Sequence, residues 1–76
     1  MSIAVLARWD PDALVWVATS DDVPGLVTEA ATVEGLREKI LIMIPELLKL
    51  NDGPSGAHGD VPLSLRYEED RVLRIA

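Results

Sequence analysis

Cysteine is absent from this 76-residue sequence, and histidine occurs only once. A disulfide is therefore excluded, and a zinc site built from nitrogen and sulfur ligands has too few ligands. A chain of this length forms a single domain, residues 1–76, whose hydrophobic core is marginal unless another interaction adds to it. Because disulfides and zinc are excluded, oligomerisation is the remaining common means of stabilising so small a fold.

Positive charge is also scarce, with 7 basic against 13 acidic side chains and a net charge of −6. Proteins that bind nucleic acid normally carry a basic stripe that replaces counterions on the phosphates, so direct nucleic-acid binding is not expected. An acidic surface suits a basic partner through electrostatic steering. Excess charge of one sign also keeps a small domain in solution, and the composition leaves both interpretations open.

Long apolar runs are missing as well. The longest, residues 40–45, is far shorter than the roughly 20 residues that span a bilayer. No basic segment precedes an apolar stretch at the N-terminus, so no signal peptide is indicated. The sequence predicts a cytoplasmic protein that does not contact membranes.

Three strands are predicted in the first 30 residues, where apolar and polar side chains alternate between turn residues. Asp10-Pro11-Asp12-Ala13 is typical of a type I turn, which places Trp9 opposite Leu14 and Ala7 opposite Trp16. Asp21 to Gly25 forms the second break. The expected strands, arranged as an antiparallel meander, are residues 3–9, 14–20 and 26–30.

A helix is predicted to begin after Thr32, whose hydroxyl can cap the free backbone N–H groups of the first turn. Glu34 suits the positive end of the helix dipole. Apolar residues then recur at spacings of three and four, which is typical of one buried helical face. Pro45 interrupts this pattern, because it removes a helical hydrogen bond and crowds the carbonyl of Leu41. We expect either a kink at Pro45 or the start of a short second segment there.

The remaining residues predict a loop at 51–59 and a strand at 63–67, with 71–75 as a candidate for a short fifth strand. A strand reached through a helix usually lies parallel to the strand it joins. The fourth strand is therefore placed beside the first and parallel to it. The predicted fold class is α+β, with the order β-β-β-α-β.

Both faces of the first hairpin are apolar in this arrangement, whereas a single helix covers only one of them. Antiparallel sheets that face water normally carry polar residues on that side. The uncovered apolar surface, or the wide apolar face of the helix, should therefore contact a second copy or another protein. The sequence favours a homodimer.

No group of residues indicates catalysis, a cofactor or a metal. Asp10, Asp12, Asp21 and Asp22 lie at turns, where Asp is favoured for its own backbone hydrogen bonds, and they lack the pattern of a calcium loop. His58, near Ser55, lacks the orienting partner and positioned nucleophile that a general base requires. The sequence therefore predicts a protein without enzymatic activity.

Binding residues are less sharply indicated. Trp9 and Trp16 are equally consistent with interface anchors and with core residues, because strands also favour aromatic side chains. Together with Asp21 and Asp22, they are the candidate partner-binding residues.

Residues 16–36 resemble the signature of the HicB-like antitoxin superfamily and, more narrowly, a short uncharacterised bacterial branch of it, a domain-of-unknown-function family. The resemblance is carried by Asp22-Val23-Pro24-Gly25-Leu26 and by Thr32, Glu34 and Leu36 at the start of the helix. Pro24, Gly25, Thr32 and Pro45 are interpreted as structural residues. The resemblance implies a β-β-β-α-β, partial ribonuclease-H-like fold that dimerises and performs no chemistry.

HicB antitoxins cover a small basic HicA ribonuclease and often carry a separate DNA-binding domain. Two features differ here. The usual Gly-Asp before the helix is replaced by Glu29-Ala30-Ala31, and residues 1–76 leave no room for a DNA-binding domain. The leading hypothesis is an antitoxin-like domain that masks a HicA-like toxin. The alternative is a stand-alone dimeric adaptor or ligand-binding module, and a metal-dependent nuclease ranks third.

Overall fold

The computed structural model describes residues 2–50 and 59–76, which form a four-stranded sheet and one helix. The strand order is β3-β2-β1-β4, in which β1 pairs antiparallel with β2 and parallel with β4. The predicted α+β fold, with β-β-β-α-β topology, is confirmed. The elements are β1 (Ile3–Asp10), β2 (Val15–Thr19), β3 (Val27–Ala30), α1 (Val33–Leu50) and β4 (Leu63–Glu68).

The core lies between α1 and one face of the sheet. Alternate residues of β1 point toward the helix, because successive side chains of a strand lie on opposite faces. Leu36, Ile40 and Ile44 form the buried stripe of α1 at helical spacing. The buried core consists of Ile3, Val5, Ala7, Ala18, Val23, Leu26, Leu36, Ile40 and Ile44.

The first turn corrects the predicted strand register. Trp9 pairs with Trp16 rather than Leu14, and Ala7 pairs with Ala18. The observed turn is longer than the predicted type I turn. Its hydrogen bond joins residues four apart, from the N–H of Leu14 to the carbonyl of Asp10 at 2.8 Å, whereas a type I turn joins residues three apart. Leu14 closes the turn in a left-handed conformation with φ 58°.

The second turn explains the Pro-Gly pair. The N–H of Leu26 donates to the carbonyl of Val23 at 3.1 Å, and Gly25 has φ 86°. Proline at the second position and a positive-φ glycine at the third are what a type II turn requires. The turn directs Val23 and Leu26 into the core, where they are 0% and 2% exposed. Pro24 and Gly25 are thus placed as structural residues.

Thr32 caps α1 as predicted, because its hydroxyl oxygen accepts a hydrogen bond from the N–H of Gly35 at 3.0 Å. The expected restart at Pro45 is wrong, since α1 continues from residue 33 to residue 50 with Pro45 inside it. Ile44 before the proline and Leu47 after it both pack on the core. Tertiary packing therefore supports the helix on both sides of a residue that would cost an isolated helix about 3 kcal/mol.

The candidate fifth strand at residues 71–75 is not formed among the described residues. Residues 69–76 follow β4 without secondary structure, and all of them are exposed. This segment carries apolar side chains all the same. Val72 is 100% exposed, Leu73 82% and Ile75 85%.

Candidate protein-binding surface

The face of the sheet opposite α1, called the open face below, is not covered by any other described element. Its residues follow from the strand register, because cross-strand partners lie on the same side of a sheet. Val27 is 67% exposed, and its apolar neighbours on this face are half-buried. The apolar members are Leu6, Val15, Val17 and Val27, and the charged members are Arg8, Asp10, Glu29, Arg66 and Glu68.

Acidic groups lie beside Arg8 on the open face. The guanidinium of Arg8 lies 3.6 Å from the carboxylate of Glu68 and 3.2 Å from that of Asp70, just beyond β4. These side chains are more than half exposed, so each ion pair adds little to stability. Their consequence is electrostatic: the positive charge of Arg8 is already balanced within its own chain.

A depression of about 450 Å³ lies on the open face, at the end where β1 and β4 begin and β2 ends. Its volume falls within the range of small-molecule pockets, but it is a half-open hollow rather than an enclosed cleft. The lining mixes the apolar Ala4 and Leu6 with polar and oppositely charged groups. These are Thr19, Ser20, Asp21, Asp22, Ser64, Arg66 and Glu68.

Asp22 serves the fold at the rim of this depression. Its carboxylate Oδ2 accepts a hydrogen bond from the N–H of Ala4 at 2.8 Å. The hydroxyl of Ser20 donates to the carbonyl of Ala4 at 2.6 Å, and the N–H of Asp22 donates to that hydroxyl at 3.1 Å. These bonds hold residues 20 and 22 to the start of β1, beyond Leu6 and Thr19, which are the last residues paired between β1 and β2. Asp21 lies beside them, exposed at the depression.

Trp9 and Trp16 lie together on the α1 side of the sheet, away from Asp21 and Asp22. Their rings are 5.4 Å apart at an interplanar angle of 59°, and Trp16 meets Tyr67 edge-on at 5.9 Å and 88°. Such tilted and edge-on pairs are favourable arrangements of aromatic rings. Both tryptophans are half-buried. The structure therefore separates the four candidate residues into two groups at opposite ends of β1.

The carboxylate of Asp10 is also engaged locally, since its Oδ1 accepts from the N–H groups of Asp12 at 2.9 Å and Ala13 at 3.2 Å. Within residues 2–50 and 59–76, no three His, Cys, Asp or Glu side chains are grouped so as to hold a metal ion. His58 and Ser55 lie outside the described residues. Helix α1 is not long and apolar enough to cross a membrane.

The sequence reasoning missed several open-face residues, notably Val27, Glu29, Arg66 and Glu68. The available signal was the two-residue period of each strand, because the residues between core positions must lie on the other face. In β4, the core-side positions are Leu63, Leu65 and Tyr67, so Arg66 and Glu68 follow directly. The register error in the first hairpin did not hide these residues, because a shift of two residues leaves every side chain on the same face of the sheet.

Comparisons with known proteins place the chain among uncharacterised relatives. The family model described as "Domain of unknown function (DUF1902)" matches residues 2–75. A crystal structure of hypothetical protein TTHA1013, from the extremely thermophilic bacterium Thermus thermophilus, is similar with a TM-score of 0.69 and 48% sequence identity. That similarity covers 99% of this chain and 100% of the other. No curated protein matches the sequence.

Proposed function

The chain belongs to the DUF1902 family of domains of unknown function, and we propose that it is an antitoxin-type protein-binding domain whose open face covers a small basic ribonuclease of the HicA kind. The observation that carries this proposal is the open face itself, an uncovered sheet surface that is apolar and has a small excess of acidic over basic side chains. The resemblance of residues 16–36 to HicB-like antitoxins supports the choice of partner class.

The apolar part of the open face supplies the reason for binding. A sheet face that meets only water normally carries polar side chains at the outward positions. Here Leu6, Val15, Val17 and Val27 occupy such positions on three neighbouring strands. Charged side chains lie among these apolar ones, since Arg8 is the cross-strand partner of Val17 and Arg66 that of Leu6, and protein interfaces likewise combine apolar and polar side chains.

The charges on and beside the open face indicate the sign of the partner. This face carries three acidic side chains (Asp10, Glu29 and Glu68) and two basic ones (Arg8 and Arg66), a net charge of −1, and Asp70 beside Arg8 brings the total to −2. The whole chain carries a net charge of −6. Complementary charge raises the association rate and disfavours acidic competitors, so a basic protein fits this surface best.

The acidic residues nearest to this face also support binding rather than catalysis. The carboxylates of Asp10 and Asp22 accept backbone hydrogen bonds that fix a turn and a strand end. A carboxylate committed to such bonds is positioned for folding rather than for transferring a substrate proton. The proposal therefore assigns the chain to occluding an enzyme rather than to being one.

Co-expression with a HicA-like ribonuclease encoded beside its gene tests the proposal. We expect a complex that co-purifies and cells that resume growth. The double variant Val27→Lys/Glu29→Lys should lose both, because it places positive charge on the open face. The matched control Glu38→Lys/Leu41→Lys changes the same net charge on the exposed side of α1, and should retain both. Equal behaviour of the two variants, or no complex with the unaltered chain, would contradict the proposal.

A stand-alone dimeric adaptor or ligand-binding module is the second candidate, and the depression of about 450 Å³ favours it. This function needs no toxin. It predicts that no ribonuclease gene lies beside this one and that a small-molecule library raises the melting temperature of the purified protein. A cognate toxin gene, together with a tight complex, would reject it.

A further inference from the structure

The segment after β4 is the most exposed apolar part of the described chain. Residues 71–76, called the arm below, include Val72, Leu73 and Ile75, which are 82–100% exposed. The arm has no secondary structure, all of its residues are exposed, and it pairs with no described strand. Its apolar side chains are therefore not buried against the domain to which it belongs.

The composition of the arm is that of a strand. Valine, leucine and isoleucine favour sheets, and Leu73 and Ile75 would share one face of an extended segment. Exposed apolar residues at such a density usually mark a surface that another molecule covers. The strand predicted for residues 71–75 is thus present as a sequence pattern but has no pairing partner within the described part of its own chain.

An acceptor of matching length exists on every copy. β4 is the last strand of the sheet, so its outer edge is unpaired among the described residues. It contains 6 residues, as many as the arm, whereas the other edge strand, β3, contains 4. On the α1 side, β4 presents a half-buried apolar row of Leu63, Leu65 and Tyr67. A strand added there would extend this row with its own apolar side chains.

Charge favours a second copy as the occupant. The arm carries Arg71 and Arg74 and no acidic side chain, so its side chains contribute +2. The chain as a whole carries −6, which leaves −8 on the remaining residues. Arg71 lies 3.6 Å from Glu69, while Arg74 has no ion pair among the described residues. A basic arm and an acidic body are complementary between two copies of the same chain.

We propose that the arm adds as an antiparallel fifth strand along the outer edge of β4 in a second copy and that the exchange is reciprocal, giving a symmetric homodimer. Two-fold symmetry makes each copy both donor and acceptor. Residues 63–76 of one copy then lie beside residues 63–76 of the other, and the two-fold axis makes these two segments antiparallel. The exchange also covers an open sheet edge, which otherwise invites uncontrolled pairing. The proposal does not depend on the ribonuclease partner, because it uses the β4 edge rather than the open face.

Light scattering coupled to size exclusion tests this assembly on the full chain at micromolar concentrations. We expect twice the mass of 8.3 kDa. Leu73→Gln/Ile75→Gln should weaken dimerisation by roughly a hundredfold or more, because it removes apolar burial from both arms. The matched control Ile42→Gln/Leu50→Gln alters exposed apolar residues of α1 and should leave the mass unchanged. Circular dichroism of each variant shows that the domain is folded.

Hydrogen exchange locates the contact. The β4 amides that do not bond to β1 should be protected in the dimer and should lose protection in Leu73→Gln/Ile75→Gln. Arg74→Glu tests the charge argument separately and should also weaken the dimer. A monomer at all concentrations, or a dimer unaffected by the arm variants, would overturn the proposal. Protection of β3 instead of β4 would overturn the choice of edge.

Discussion

Replacing Asp22 with alanine tests whether this residue holds the sheet together or contacts a partner. Its carboxylate accepts a hydrogen bond from the N–H of Ala4 at 2.8 Å. Hydrogen bonds to charged groups contribute about 1.5–3 kcal/mol where they are shielded from water. Both residues here are exposed, so water can replace the carboxylate in part. We therefore expect Asp22→Ala to lower the free energy of unfolding by about 1 kcal/mol, less than a shielded bond to a charged group would contribute.

The adjacent aspartate supplies a matched control. The carboxylate of Asp21 has no hydrogen-bond or ion-pair partner among the described residues, and it is exposed in the same way. Asp21→Ala changes the net charge by the same amount and should leave stability within about 0.5 kcal/mol. Asp22→Asn keeps an oxygen acceptor and should fall between Asp22→Ala and the unaltered chain.

Urea denaturation followed by tryptophan fluorescence measures these differences at one fixed protein concentration, because dimerisation makes apparent stability depend on concentration. A loss of about 1 kcal/mol corresponds to a drop of about 4–8 °C in the melting temperature for a domain of this size. If Asp22→Ala and Asp21→Ala have equal midpoints, the hydrogen bond to Ala4 does not stabilise the fold, and the structural role assigned to Asp22 is wrong.

Four further changes probe the turn, the cap and the core, each by its urea midpoint. Gly25→Ala should cost about 1 kcal/mol because alanine disfavours the positive φ of this position; steric crowding is not the cause, since an added Cβ would lie 3.6 Å from Leu47. Gly25→Asn should cost less, because asparagine tolerates a positive φ better. Equal costs for the two variants would contradict this explanation. Thr32→Ala should cost about 1 kcal/mol and Thr32→Ser almost nothing, because serine keeps the capping hydroxyl. Equal stability of the two variants would mean that the cap does not stabilise the fold. Leu36→Ala should cost about 2–5 kcal/mol, and a smaller loss would mean that the core collapses around the cavity. Tyr67→Phe should be neutral or stabilising, because the buried hydroxyl has no hydrogen-bond partner in the described chain, and a loss above about 1 kcal/mol would mean that water or a partner satisfies it.

The element order was predictable because the local signals are strong and agree. Thr32 capped the helix as expected, and the buried face of α1 follows the spacing of Leu36, Ile40 and Ile44. The parallel pairing of β4 with β1 follows from the crossover rule. These features depend on short stretches of sequence or on general topology.

The first register was wrong because a turn's length depends on its side-chain bonds. Asp10 accepts from the N–H groups of Asp12 and Ala13, and Leu14 adopts a positive φ that its residue type does not indicate. The restart considered at Pro45 was wrong for a related reason, whereas the alternative of a kink there stays a prediction. A local rule predicts an interruption, whereas packing of Ile44 and Leu47 on the core keeps α1 continuous.

The surface could be predicted only in part. The apolar outward residues of β1 and β2 were expected, and the structure places Leu6, Val15 and Val17 on the open face. The contribution of β4 to that face is polar, with Ser64, Arg66 and Glu68. An apolar segment forms a strand within its own chain only if it lies beside an unpaired edge of the sheet. The sequence of residues 71–75 does not indicate where that edge lies, so this outcome could not be predicted from it.

The central claim is that the open face is a binding surface for a basic protein. The most direct measurement is a methyl NMR titration of the chain with a HicA-like ribonuclease, the partner that we propose. The account predicts that the methyl signals of Val15, Val17 and Val27 shift, while those of Leu41 and Ile42 on the exposed side of α1 do not. Shifts confined to α1, or no shift at saturating ribonuclease, would contradict it.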